Sequence, residues 1–251
     1  MRARVLRMAK TLVFISGASS GIGRALAESV PFEAPRIIDI SRRGGADGCE
    51  HFAADLADSA GWPRVAGLFA AEMAGFAGER VIFVHSAGTL EPMGFAGEVD
   101  AAGYARNVVL NSAAPQVLGD AFLRALGRIE AAGVLIMITS GAAQNVYEGW
   151  TSYGAGKAAV DQWVRTAGVE QVRRGGRCRI LSVAPGVVAT AMQEQIRRMS
   201  EHAFPEIAKF VELHESGELR DAATVAREIW QLLERDLPNG AVIDLRDAVE
   251  S

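Results

Sequence analysis

The chain has 251 residues, 49% hydrophobic and 22% charged, a length and balance that suit one large α/β domain with a packed core and show no signature of disorder. A formal net charge of -4 gives no basic surface on which a polyanion would concentrate, so nucleic acid is not an expected partner. Two cysteines, Cys49 and Cys178, and four scattered histidines lack the spacing of a disulfide framework or a metal site; this suits a reducing cytoplasm and predicts no metal.

Residues 1–10 are basic but carry no apolar run long enough for a signal peptide, so 1–9 read as a loose tail. No later run approaches the length needed to cross a bilayer, and no membrane association is expected. Short apolar runs at 11–16, 36–40, 80–85, 133–139, 178–184 and 241–243 read as strands. Between them, 22–30, 63–77, 103–125, 152–174 and 222–235 carry apolar residues at helical spacing. Apolar strands alternating with amphipathic helices predict a doubly wound parallel sheet covered on both faces. With no internal repeat, low-complexity tract or linker, residues 1–251 read as a single domain. Residues 187–217 depart from the alternation: they are polar, mixed in charge and follow a Pro-Gly pair. An insertion after a strand's carboxyl end sits over the ligand crevice of such a fold, so this stretch reads as a substrate lid.

The first strand runs into Ser16-Gly17-Ala18-Ser19-Ser20-Gly21-Ile22-Gly23, which opens a helix. Glycines let the backbone turn tightly and approach a pyrophosphate, and the free N–H groups of the helix start stabilise its charge. The spacing is Gly-x-x-x-Gly-x-Gly rather than the commoner Gly-x-Gly-x-x-Gly. Later, Tyr153 and Lys157 stand four apart on a helix, behind Ser140 at the end of an apolar strand. Residues at that spacing share a face, and a nearby ammonium lowers a tyrosine pKa from its reference of about 10.

The glycine motif, the serine ahead of the tyrosine, the Tyr-x-x-x-Lys pair and Pro185-Gly186 together resemble the short-chain dehydrogenase/reductase signature, and the resemblance spans essentially the whole chain. It implies a Rossmann-type fold with a seven-stranded parallel sheet, the lid following the sixth strand. By the same resemblance Ser140 hydrogen-bonds a substrate carbonyl, Tyr153 protonates it, and Lys157 holds the nicotinamide ribose while depressing the tyrosine pKa. Asn111 matches the helix asparagine that positions a water in the family's proton relay. Asp55-Leu56 matches the pair beside the adenine, Ala87-Gly88 the turn beside the adenosine ribose, and Val188 and Thr190 the contacts to the nicotinamide carboxamide. The family's Asn-Asn-Ala-Gly is here His85-Ser86-Ala87-Gly88, and His85 reads as a structural histidine near the sheet.

Members that use NAD resemble one another in an acid at the tip of the second strand, which would repel a 2′-phosphate. Here that tip is Ile40-Ser41-Arg42-Arg43, with Ser41 in place of the acid and Arg42 matching the arginine of NADP-preferring relatives. A guanidinium grips phosphate with two charge-assisted bonds, so NADP(H) is the expected cofactor. A two-residue slip in that strand end would instead put Asp39 at the position of the acid, and an NAD-dependent alcohol dehydrogenase remains the alternative.

Within the family, Ser140 to Ala143, Tyr147 to Trp150, Ala189 to Gln193 and Pro238 to Asp244 resemble sepiapterin reductases and bacterial relatives that reduce benzil. That implies NADPH-dependent reduction of one carbonyl of a vicinal diketone or pterin side chain, with Asp244 as the pterin anchor. Trp150 and Met192 could wall a flat substrate. The family's oligomers imply a homodimer or homotetramer joined through the fourth and fifth helices. A reading of another class, an NADP-sensing module without turnover, is opposed by the retained Tyr153 and Lys157.

Overall fold

In Thr11–Ser16 (β1) every residue is buried, which requires a strand covered on both faces. Its alternating side chains divide between two layers: Leu12 and Phe14 join one cluster, Val13 and Ile15 another. The computed structural model describes residues 10–248, so the expectation for 1–9 lies outside the described residues. The remaining strands are Arg36–Ser41 (β2), Glu50–Ala53 (β3), Arg80–His85 (β4), Ala132–Ile138 (β5), Cys178–Ala184 (β6) and Ala241–Asp244 (β7). They form one sheet in the order β3-β2-β1-β4-β5-β6-β7, with every paired neighbour parallel.

Gly21–Glu28 (α1), Trp62–Ala74 (α2), Ala101–Val108 (α3), Ala114–Leu126 (α4) and Thr151–Arg174 (α5) precede two short helices, Ala191–Arg197 (α6) and Ile207–Glu215 (α7). Ala222–Gln231 (α8) and Leu245–Ala248 (α9) are the last helices among the described residues. One sheet face packs on α2, α4 and α5 through Phe69, Phe122, Val160 and Val164. The other packs on α1 and α8, where Val225, Ile229 and Trp230 are buried and the indole N–H of Trp230 donates to Leu26 O at 3.2 Å. Chain direction from β1 diverges at the β1/β4 boundary, so a crevice opens at the carboxyl ends of those strands.

Two departures from periodicity position the site. Strand β3 has no apolar run, because it is a short edge strand whose Glu50, His51 and Ala53 are exposed; the family resemblance supplied it where the pattern did not. The predicted helix over 103–125 is broken by a π turn at Val109–Ala113 between α3 and α4. Pro115 has no N–H to return to the carbonyl of residue 111, and the Ala114 N–H reaches back five residues to Val109 O.

Candidate active site

The glycine-rich loop leaves β1 through Gly17, which has φ +74° and donates its N–H to Ile40 O at 3.0 Å. A methyl group on Gly17 would lie 2.9 Å from the backbone of Ala87, and one on Gly23 would lie 2.4 Å from Gly17 O. The missing side chains therefore let α1, the loop and the turn after β4 nest together. No side chain caps the start of α1 and its first turn has no acid, so its leading amides are uncommitted, as a pyrophosphate requires. This cradle fits a dinucleotide.

A crevice of about 930 Å³ runs from that loop across the carboxyl ends of the sheet. Its near half is lined by Gly17, Ser19, Ser20, Gly21, Ile22, Ser41, Arg42, Asp55, Leu56, Ala87 and Gly88. Its far half is lined by Ser140, Trp150, Tyr153, Lys157, Pro185, Gly186, Val188, Thr190 and Met192. Of the residues expected to bind cofactor or substrate or to act in catalysis, Gly23, Asn111 and Asp244 do not line it. Gly23 acts through packing, as above.

At the tip of β2, Ser41 donates its hydroxyl proton to Asp39 Oδ2 at 3.0 Å and accepts the Gly44 N–H at 3.0 Å. Both of its polar contacts are thus internal, and the turn they hold presents Arg42 and Arg43 to the crevice. Asp39 is 1% exposed, does not line the crevice, and burial holds its carboxyl above the usual carboxylate range. Ser41 and Arg42, and not Asp39, thus form the crevice wall at this strand end.

Asn111 lies in the π turn, 1% exposed, with both ends of its amide engaged. Its Nδ2 donates to Thr89 O at 2.7 Å and Asn107 Oδ1 at 2.9 Å, and its Oδ1 accepts the Thr89 N–H at 3.2 Å. A methyl on Gly88 would sit 3.0 Å from that Oδ1 and 3.5 Å from Lys157 Nζ, so the two approach the same glycine.

Ser140 ends β5's extension and caps a single 3-10 turn, its Oγ accepting the Ala142 N–H at 3.2 Å. That leaves the hydroxyl proton to donate, and it faces the Tyr153 phenol. Tyr153 and Lys157 are both buried in the first turns of α5, and the Lys157 ammonium donates to Ile138 O at 2.9 Å. The sequence-based expectation of an acidified phenol is not met in this arrangement. Burial, the larger effect, pushes the Tyr153 pKa up, and only the Ser140 hydroxyl opposes the rise. Burial also lowers Lys157 to about 8, against the field of Asp161 one turn further along α5. Asp161 is itself buried and accepts the Ser182 hydroxyl, which lies 2.8 Å from Thr139 Oγ1.

His85 is fully buried, and burial with the Lys157 charge lowers its pKa to about 3. Its Nδ1 lies 2.8 Å from Ser16 Oγ, which also accepts the N–H groups of Ser86 and Ala87. The imidazole thus braces β1 against β4 through Nδ1, whereas its buried Nε2 has no hydrogen-bond partner among the described residues.

The far wall is aromatic. Trp150 stacks on Phe204 with ring centroids 4.7 Å apart at 15°, and Tyr147, Tyr153 and Phe210 pack around the pair. Residues 187–217 are polar outside only; Val187, Met192, Ile196, Phe204 and Phe210 form their inner face. Gln193 ties α6 to α7 by donating to Phe210 O at 2.9 Å. The Asp244 expectation is altered: its carboxylate is held side-on by Arg246, with Nε at 2.9 Å and Nη2 at 2.6 Å, and Arg246 is the residue that lines the crevice. Phe204 and Phe210 offered no local signal, because a single aromatic in a polar stretch has no period. Arg246 was legible only as a charge two residues beyond Asp244.

The doubly wound sheet with its glycine cradle, serine, tyrosine and lysine on one crevice defines a dinucleotide-binding oxidoreductase. A family model described as short chain dehydrogenase matches residues 11–201, and the chain belongs to the short-chain dehydrogenase/reductase family, whose members bind a nicotinamide cofactor. It is 30% identical to a benzil reductase ((S)-benzoin forming) of Bacillus subtilis (strain 168), over 94% of this chain and 98% of that one. The corresponding enzyme of Bacillus cereus is 31% identical over 92% and 97%, and sepiapterin reductase of Rattus norvegicus 32% over 67% and 64%. Among solved structures, a short-chain dehydrogenase/reductase of Saccharomyces cerevisiae superposes with a TM-score of 0.77 at 22% identity, covering 94% of this chain and 96% of that one, a likeness of fold.

Proposed function

We propose that the protein is an NADPH-dependent carbonyl reductase acting on a small ketone, with a vicinal diketone of the benzil type as the favoured substrate class. The observation that carries this reading is the convergence of Ser140, Tyr153 and Lys157 at the far end of the crevice whose near end is the glycine cradle. The bound nicotinamide would supply the hydride. Ser140, whose hydroxyl faces the Tyr153 phenol, donates to the substrate oxygen when it enters between them, and Tyr153 delivers the proton to that oxygen as negative charge develops on it. A raised phenol pKa keeps Tyr153 protonated at neutral pH, the form that reduction requires. Lys157, as a cation one turn away, then offsets the charge left on the phenolate.

Asn111 holds the turn at Thr89 and the approach to Gly88, so its role here is positioning. Arg42 supplies the 2′-phosphate contact and Arg43 the flanking charge, whereas Ser41 serves as the internal brace of that turn. Residues 187–217 act as the substrate lid, its apolar inner face excluding water once substrate is bound. The names of the Bacillus relatives support the diketone, and the stacked Trp150 and Phe204 support a flat aromatic ligand.

The test is consumption of NADPH, followed by the absorbance of the reduced nicotinamide, with a panel of aromatic 1,2-diketones, simple ketones and quinones. Turnover with diketones above simple ketones is the expected result; no consumption with any of the panel would overturn the reading.

A further inference from the structure

The sequence drew attention to Asp244, but the group turned toward the substrate end of the crevice is Arg246. Its guanidinium spends Nε and one Nη2 hydrogen on Asp244, a side-on pair that fixes the plane of the fork. The backbone N–H of Arg246 also donates to Asp244 Oδ1 at 3.0 Å, so strand end and side chain are locked together. Nη1 has no partner among the described residues, and the side chain is 54% exposed. The second arginine of this corner is not free: Arg220 is taken by Pro185 O at 3.1 Å and by Glu228.

The position of the free edge is set by two glycines. A methyl on Gly141 would lie 3.3 Å from Arg246 Nη2, and one on Gly186 would lie 3.3 Å from Arg246 Cγ. Gly141 follows Ser140, so Nη2, with its second hydrogen uncommitted, stands beside the residue next to the one whose hydroxyl would meet the reacting carbonyl. A ligand edge that offers hydrogen-bond donors would find no unpaired carboxylate here, since both oxygens of Asp244 already accept from Arg246.

We infer that Arg246, oriented by Asp244, is a specificity-determining residue that receives a second oxygen acceptor adjacent to the reacting ketone, either a neighbouring carbonyl or a carboxylate. This rests on the reductase reading of the same site and narrows its substrate class to ketones bearing that acceptor. Monoketones of the same shape lack the atom that Arg246 would hold.

Benzil and deoxybenzoin make the matched pair, because they share two phenyl rings and differ by the second carbonyl. Intrinsic reactivity cancels when the ratio of kcat/KM for the two is compared between the wild type and Arg246→Met. The ratio is expected to fall about ten- to a hundred-fold in the variant, the worth of a hydrogen bond to a charged group. Arg246→Lys, which keeps the charge and loses the fork, should fall between, and Asp244→Asn, which frees the fork, should lower the ratio in the same direction.

A binding arm is independent of turnover: titration calorimetry of phenylglyoxylate into the protein with NADP+ should show at least tenfold weaker binding for Arg246→Met. If the wild type reduces neither ketone, the reductase reading fails and the binding arm alone judges Arg246. A ratio and a phenylglyoxylate affinity both within twofold of wild type in Arg246→Met would overturn the inference.

Discussion

The ammonium nitrogen of Lys157 lies 5.7 Å from the centroid of the Tyr153 ring, and its hydrogen bond goes not to the phenol but to the Ile138 carbonyl at 2.9 Å. In the proposed reduction the pair would serve charge compensation after proton transfer rather than acidify the phenol beforehand. Burial acts on the two in opposite senses, raising the phenol and lowering the ammonium to about 8, because each resists its charged form in a dry site.

A pH dependence follows from that pair. The free protein loses the Lys157 charge as pH rises through about 8, while Tyr153 stays protonated beyond its ordinary range. The kcat/KM for ketone reduction, which reports groups of the free enzyme, should therefore fall as pH rises through about 8. Stability moves the other way. The folded value of Lys157 lies below its ordinary 10.5, so the unfolded chain holds more protons between about 8 and 10.5, and this group's contribution to stability rises with pH there. Rate profiles and thermal midpoints of wild type and Lys157→Met from pH 6 to about 10.5 check both signs; only the wild type should show either trend.

His85 gives a prediction at the acid end. Its folded value of about 3 lies below its ordinary 6.5, so the unfolded chain binds the extra proton in between and stability is lost as pH falls from 6.5 toward 3. The slope from one such group reaches about 1.4 kcal/mol per pH unit. His85→Asn removes it, and denaturant midpoints measured between pH 4 and about 7 should flatten in the variant.

The doubly wound parallel sheet, the glycine cradle and the tyrosine–lysine pair were legible because each follows from local chemistry: apolar runs, turn glycines and one helical turn of spacing. What was not legible depends on burial and on contacts distant in sequence. The sign of the Tyr153 shift needed the aromatic wall of Trp150, Phe204 and Phe210 around it. The inward turn of Ser41 toward Asp39 needed the closed end of β2, and the neutralised Asp244 needed the fold of α9. The break at Asn111 could have been read from Pro115, since a proline inside a helical pattern withholds a donor.

Arg42→Ala should lower kcat/KM with NADPH about ten- to a hundred-fold while changing the NADH value by less than threefold, because only the 2′-phosphate contact is removed. Steady-state rates with both cofactors at one salt concentration measure this. An equal loss with NADH would assign Arg42 to folding or general binding instead.

Gly17→Ala places a methyl 2.9 Å from the Ala87 backbone at a residue with φ +74°. Strain and collision together should cost about 1–3 kcal/mol of stability. Cofactor affinity, followed by quenching of intrinsic tryptophan fluorescence, should drop at least tenfold, because the loop amides shift away from their shared focus. Retained stability with retained affinity would show that the loop tolerates a side chain there.

The most direct test of the central claim is Tyr153→Phe, measured twice: for NADPH affinity in binding and for ketone reduction in turnover. Loss of the phenolic proton alone should lower kcat by about a thousandfold or more while leaving NADPH affinity within threefold. A variant that reduces the ketone at the wild-type rate would contradict the assignment of Tyr153 as the proton donor.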